Sequence, residues 1–175
     1  MSIKIKNPKP HNPLQDGVNL IRVDNLISNS YLNNLSPSLA IPEKHGFQNI
    51  VMHPLGISPW TNNEEEPLNI NLFGEKKFII QLFVRGNPFL GDSSFNELWL
   101  AVIKQLQRYK RLSALLVYGS HYLWNQLIND IDPKITAVYS PGQMPLAQKE
   151  ALSLLFQYKT NRVEKNIKSE FNFTN

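Results

Sequence analysis

The chain has 175 residues, 42% of them apolar, which suits one domain with a sizeable core. It contains no cysteine, so a disulfide scaffold, a thiolate metal site and a cysteine nucleophile are excluded. The net charge of +4 is spread along the chain and argues only weakly for a polyanion, and a complete (β/α)8 barrel needs about 200 residues, more than are present.

Residues 1–17 carry Pro8, Pro10 and Pro13 among few apolar side chains, as expected of a flexible lead-in. No apolar run approaches the roughly 18 residues of a membrane span, and this stretch has no hydrophobic signal core, so a soluble cytoplasmic protein is expected. Residues 18–23 (VNLIRV) suit a buried strand, with shorter strand candidates at 39–42 and 49–52. Residues 53–71 hold Pro54, Gly56, Pro59, Pro67 and three consecutive glutamates, and predict a long loop. From Lys77 onward a unit recurs. The apolar run 78–84 (FIIQLFV) predicts a strand covered on both faces, followed by a loop at 85–92 and a helix over 93–109. That helix turns Leu98, Val102, Ile103 and Leu106 inward and Lys104, Gln105, Gln107 and Arg108 outward. Strand 114–118 leads into a helix ending near Asn129, and strand 135–139 into a helix over 145–156 that Pro145 opens. Three strand–loop–helix units predict an α/β fold, a doubly wound, mainly parallel sheet with helices on both faces. The sandwich spans 18–156, and a polar tail occupies 157–175.

In such a sheet ligands meet the carboxyl ends of the strands. The loops there, at 85–91, 119–122 and 140–145, contribute Arg85, Asn87, Ser120, His121 and Gln143, all suited to gripping hydroxyl groups. Gly86, Gly119 and Gly142 equally serve as tight turns after strands. Gly86 and Gly91 have the spacing of a phosphate loop, but Asp92 stands where its lysine belongs, which disfavours nucleotides. The four histidines show no metal-ligand spacing, so neither a metal nor another cofactor is expected. Ser120 lacks the G-x-S-x-G elbow of a serine nucleophile. Glycoside cleavage needs two carboxyl groups flanking the bond, and Glu64, Glu65 and Glu66 form the one dense carboxylate cluster, equally readable as a solvated loop tip. Trp60, on the same loop, is the candidate for stacking on a sugar ring. The terminal basic stretches have no interleaved aromatics, so no nucleic-acid partner is expected.

RGNPF at 85–89, LVYGSHY at 116–122 and VYSPGQMPLAQKEALSLLF at 138–156 resemble the C-terminal domain of glycoside hydrolase family 3, notably cyanobacterial β-glucosidase or β-N-acetylhexosaminidase-like members. Residues 19–47 are similar to the start of the same domain. The resemblance implies an α/β sandwich that normally follows a catalytic barrel, and the barrel holds the family's aspartate nucleophile. The Lys-His-x-Pro-Gly-x-Gly motif of hexosaminidase-type members is not matched, since Gly46, Phe47 and Gln48 follow Lys44 and His45. His121 also departs from the proline that follows Gly-Ser in the family. The expected role is therefore a detached or truncated sandwich domain, inactive alone, that completes a sugar site on a separate barrel subunit. The rival is a non-catalytic module that binds a sugar or a protein. A surface normally covered by the barrel, formed by Trp60, Phe89, Leu90, Phe95 and Met144, is expected to promote self-association.

Overall fold

Four apolar runs in this chain bury side chains of both parities, which only a sheet covered on both sides allows. The computed structural model describes residues 2–8, 14–23, 32–52, 61, 63–84 and 99–156. Its strands are β1 (Lys4–Lys6), β2 (Gly17–Arg22), β3 (Phe47–Met52), β4 (Lys77–Val84), β5 (Leu112–Gly119) and β6 (Thr136–Ser140). Its helices are α1 (Pro37–Lys44), α2 (Trp99–Arg108), α3 (His121–Ile128) and α4 (Pro145–Phe156). The strands form one sheet in the order β1-β6-β5-β4-β2-β3. β2 to β6 run parallel, and β1 is antiparallel to β6. The strand order reverses between β2 and β4, so right-handed crossovers send the helices to opposite faces. Leu39 and Ile41 of α1 and Ala151, Leu152 and Leu155 of α4 pack on the face of Ile21, Ile79, Phe83 and Tyr118. Trp99, Val102 and Leu106 of α2 and Leu123, Trp124 and Leu127 of α3 pack on the face of Leu20, Ile80, Leu115 and Val117. This is the three-layer α/β sandwich that the strand–helix alternation predicts.

Four expectations are corrected. Residues 39–42 are not a strand but the middle of α1, because a four-residue apolar run fits either element and Pro37 presets the first helical turn. Part of the expected lead-in is ordered, since Lys4–Lys6 pairs with β6. The 53–71 stretch is not loop throughout. Leu68 is buried, and a 3-10 turn at Ile70–Phe73 follows it and packs on the α2/α3 face. Gln105 does not face solvent. It is buried, accepting from the Leu68 N–H at 3.0 Å and donating to the Leu68 carbonyl at 2.9 Å. The expected start of α2 before Trp99 lies outside the described residues.

A polar chain crosses the α1/α4 face of the sheet, inside the core. Asn49 of β3, Asn19 of β2, Gln81 of β4 and Tyr118 of β5 join side chain to side chain at 2.8, 2.8 and 3.1 Å. Asn19 and Gln81 also both donate to the Ser38 carbonyl at 2.8 Å. That carbonyl needs outside donors. Its helical partner would be the N–H of residue 42, and Pro42 has none.

Candidate functional site

Three parallel strands of the described sheet, β4, β5 and β6, end side by side, and the turns after β5 and β6 carry Ser120 and Gln143 of the five expected ligand residues, while His121, expected on a loop, opens α3. Val84, from which the stretch holding Arg85 and Asn87 departs, is in register with Gly119. Arg85 and Asn87 themselves lie outside the described residues, as do Trp60, Phe89, Leu90 and Phe95.

Gly119 closes β5 with φ +92, where a Cβ would stand 2.5 Å from the Val84 carbonyl and 2.7 Å from Gln143 Nε2. Only glycine permits this approach. Gln143 consequently crosses the end of β5 and donates to the Tyr118 carbonyl at 3.3 Å. Its own carbonyl accepts from Gln148 Nε2 at 2.8 Å, and Gln148 Oε1 accepts from the Ser38 N–H and hydroxyl. The 140–145 loop is thus tied to α1 through one buried glutamine. Ser140 Oγ donates to the Gly142 carbonyl and tightens the same turn.

Ser120 is 5% exposed and caps α3, its Oγ accepting the Leu123 N–H at 3.2 Å. His121 turns toward the sheet edge. Its Nε2 accepts from Lys4 Nζ at 2.9 Å, its Nδ1 lies 3.3 Å from Asn125 Nδ2, and its ring stands edge-on to Tyr139. Ser120 and Gln143 therefore both lie at the end of β5, bonded to different partners, while His121 is bonded to Lys4 of β1. The hydrogen bonds of all three shape the fold.

The three glutamates lie elsewhere. Glu66 accepts from Arg108 at 2.8 Å and from the Tyr109 hydroxyl at 2.9 Å. The two donors lie four and three residues before Leu112, where β5 begins. A strand rises about 3.3 Å per residue, so the eight residues of β5 place Glu66 roughly 25 Å from Gly119. Glu64 and Glu65 are exposed beside it. The 119–122 and 140–145 loops contain no carboxylate. Among the described residues no three histidine, aspartate or glutamate side chains could hold a metal ion, and no helix is long and apolar enough to cross a membrane.

One residue that the sequence reading passed over is Arg22. It ends β2 at the point where strand order reverses, is 3% exposed, and donates through Nη1 to the Phe83 carbonyl of β4 at 2.9 Å. A lone arginine inside the VNLIRV run was the available signal, because a buried cation needs partners.

Four exposed apolar side chains stand among the polar ones around these strand ends. Leu35 before α1 is 87% exposed, Tyr122 in the first turn of α3 67%, and Met144 and Leu146 at the start of α4 56% and 68%. Met144 is the one member of the expected barrel-contact surface that lies among the described residues, and it is exposed.

Comparison with known proteins adds the following. Residues 11–157 match the family described as the bacterial glycosyl hydrolase family 3 C-terminal domain. No curated protein sequence matches the chain. Among solved structures, the chain is similar to a fungal multi-domain GH3 β-N-acetylglucosaminidase described as having a GCN5-related glucosamine N-acetyltransferase region. The TM-score is 0.51 at 14% identity, with 89% of this chain and 16% of that chain covered. At that identity the likeness concerns the fold alone.

Proposed function

The chain belongs to the bacterial glycosyl hydrolase family 3 C-terminal domain family, and from that premise we propose that it serves a glycoside hydrolase as a non-catalytic sandwich domain. Its carboxyl rim docks on a catalytic barrel and closes the barrel's sugar pocket. The observation that carries this reading is the rim itself, where Leu35, Tyr122, Met144 and Leu146 are all more than half exposed around one edge of the sheet. Scattered apolar side chains are ordinary on a surface, whereas several at one edge favour a partner. Chemistry supports the same reading. Cleavage needs paired carboxyl groups, the two described rim loops hold none, and Glu66 is engaged at the far end of the sheet.

The test is an assay on aryl β-glucoside and aryl β-N-acetylglucosaminide substrates. The chain alone should give no turnover above background, and adding it to a family 3 barrel that lacks this domain should raise the barrel's rate. Turnover by the chain alone overturns the proposal, as does a barrel indifferent to its addition.

A further inference from the structure

We propose that the amino end of β4 and β5 holds a binding site for a phosphate group, free or esterified, with the Arg111 guanidinium as its anchor. The site lies at the opposite end of the sheet from the exposed side chains of the docking rim, and it stands or falls independently of the docking role.

Two turns build it. Helix α2 closes on Lys110 in the left-handed region, at φ 54. The Lys110 N–H donates to the Gln107 carbonyl and the Arg111 N–H to the Leu106 carbonyl, an ending that sends the chain directly into the next element. It lays the Arg111 guanidinium over the Phe78 ring, 5.6 Å from its centroid. The second turn leads from the 3-10 turn into β4. Its Lys76 carbonyl accepts from Arg111 Nε, and the Phe78 N–H donates to the Arg111 carbonyl. The two turns are thus locked together where the strands begin.

Arg111 is 7% exposed, and its Nη2 is buried with no hydrogen-bond partner. Among the described residues no carboxylate pairs with it. A buried cation without a counter-charge is costly, and a buried donor of this kind points to an acceptor from outside the chain. The surroundings decide which. Residues 74–78 and 109–112 carry four cations, Lys76, Lys77, Lys110 and Arg111, against one carboxylate, Glu75, a net +3. The three lysines are exposed, and Lys77 Nζ ties the turns together by donating to the Lys110 carbonyl at 2.6 Å. Neighbouring carboxylates are engaged elsewhere. Glu66 accepts from Arg108 and Tyr109, and Asp16 lies against Gly46. A planar guanidinium grips phosphate through paired N–H groups, and lysines neutralise it as point charges. A phosphate dianion offsets most of the local charge, whereas a monocarboxylate leaves most of it uncompensated.

Thermal melting of the full chain tests this in inorganic phosphate, phenyl phosphate or acetate, with sodium chloride holding the ionic strength constant. Inorganic phosphate should raise the melting temperature saturably, as a ligand that binds only the folded chain does, and acetate should not. A matching rise in phenyl phosphate means that the site takes esters, and a rise in inorganic phosphate alone restricts it to the free anion. Calorimetric titration with phosphate should then show binding lost in Arg111→Met. If that variant does not melt cooperatively, Lys76→Gln/Lys110→Gln, changed only at exposed positions, takes its place and should bind about tenfold more weakly. No saturable rise in either phosphate overturns the proposal, as does an equal rise in acetate, which is an electrolyte effect. Phosphate binding that survives the substitutions overturns it too, because the anion then sits on another surface.

Discussion

Gln105 shows how one side chain can convert a loop into part of the core. Its amide meets both backbone groups of Leu68, so a buried stretch without regular pairing keeps its N–H and C=O satisfied. Gln105→Leu keeps the volume and removes both bonds; the Leu68 carbonyl keeps the Ile70 N–H, while the buried Leu68 N–H loses its Gln105 acceptor at about 1–3 kcal/mol. Urea unfolding should show a loss within that range, larger than an ordinary surface change. Tyr118 makes the second prediction at this scale. Burial pushes its hydroxyl above the ordinary tyrosine value, so the unfolded chain releases that proton first, near pH 10. Its contribution to stability is whole below about pH 10 and falls as pH rises beyond it. Tyr118→Phe should flatten the alkaline fall in stability without abolishing it, because burial also raises Tyr139. At neutral pH the same change should cost about 1 kcal/mol, for the lost bond to Gln81.

Helix α1 and the strands beneath it share one polar solution. Pro42 leaves the Ser38 carbonyl without a helical donor, and Asn19 and Gln81 supply two from the sheet. The coupling is measurable. Asn19→Leu/Gln81→Met should cost several kcal/mol, because Ser38, Asn49 and Tyr118 lose partners together. Adding Pro42→Ala to that pair should recover about 1 kcal/mol, since the new N–H can bond the Ser38 carbonyl. In the unaltered chain the same proline change should recover close to nothing. Equal effects in both backgrounds, measured by urea unfolding as a double-mutant cycle, would mean that helix and sheet are not linked through this carbonyl.

For the molecule as a whole, the two ends of the sheet have different chemistry. The amino end carries the Glu66–Arg108 ion pair together with the exposed Leu72 and Tyr109, and the carboxyl end carries four exposed apolar side chains with no carboxylate in its described loops. A rim made for docking is dispensable to the fold. Tyr122→Ser/Leu146→Ser should therefore change stability by no more than about 0.5 kcal/mol per site while weakening association with a family 3 barrel. Thermal melting reads the first quantity and calorimetric titration of the barrel the second. A large stability loss with unchanged association would make these side chains part of the domain's own packing.

The parallel strands, the helix after each of β4, β5 and β6, and the absence of any thiol chemistry were legible in the sequence by itself. Apolar runs such as 78–84 bury both faces whatever their neighbours are, and so declare a covered sheet locally. The loops bearing Ser120, His121 and Gln143 were legible as positions for the same reason, since each follows such a run. Their tasks were not. Ser120 caps α3, His121 accepts from a lysine 117 residues away, and Gln143 crosses the end of β5 because Gly119 has no side chain. A hydrogen bond depends on which donor and acceptor the folded chain brings within about 3 Å, and no sequence spacing encodes that for distant residues. For the same reason only the tertiary structure decided that Gln105 points inward, that 39–42 is helical, and that Lys4–Lys6 closes the edge of the sheet. Each depends on a partner supplied by another element: the Leu68 backbone, the amides of Asn19 and Gln81, and the outer side of β6.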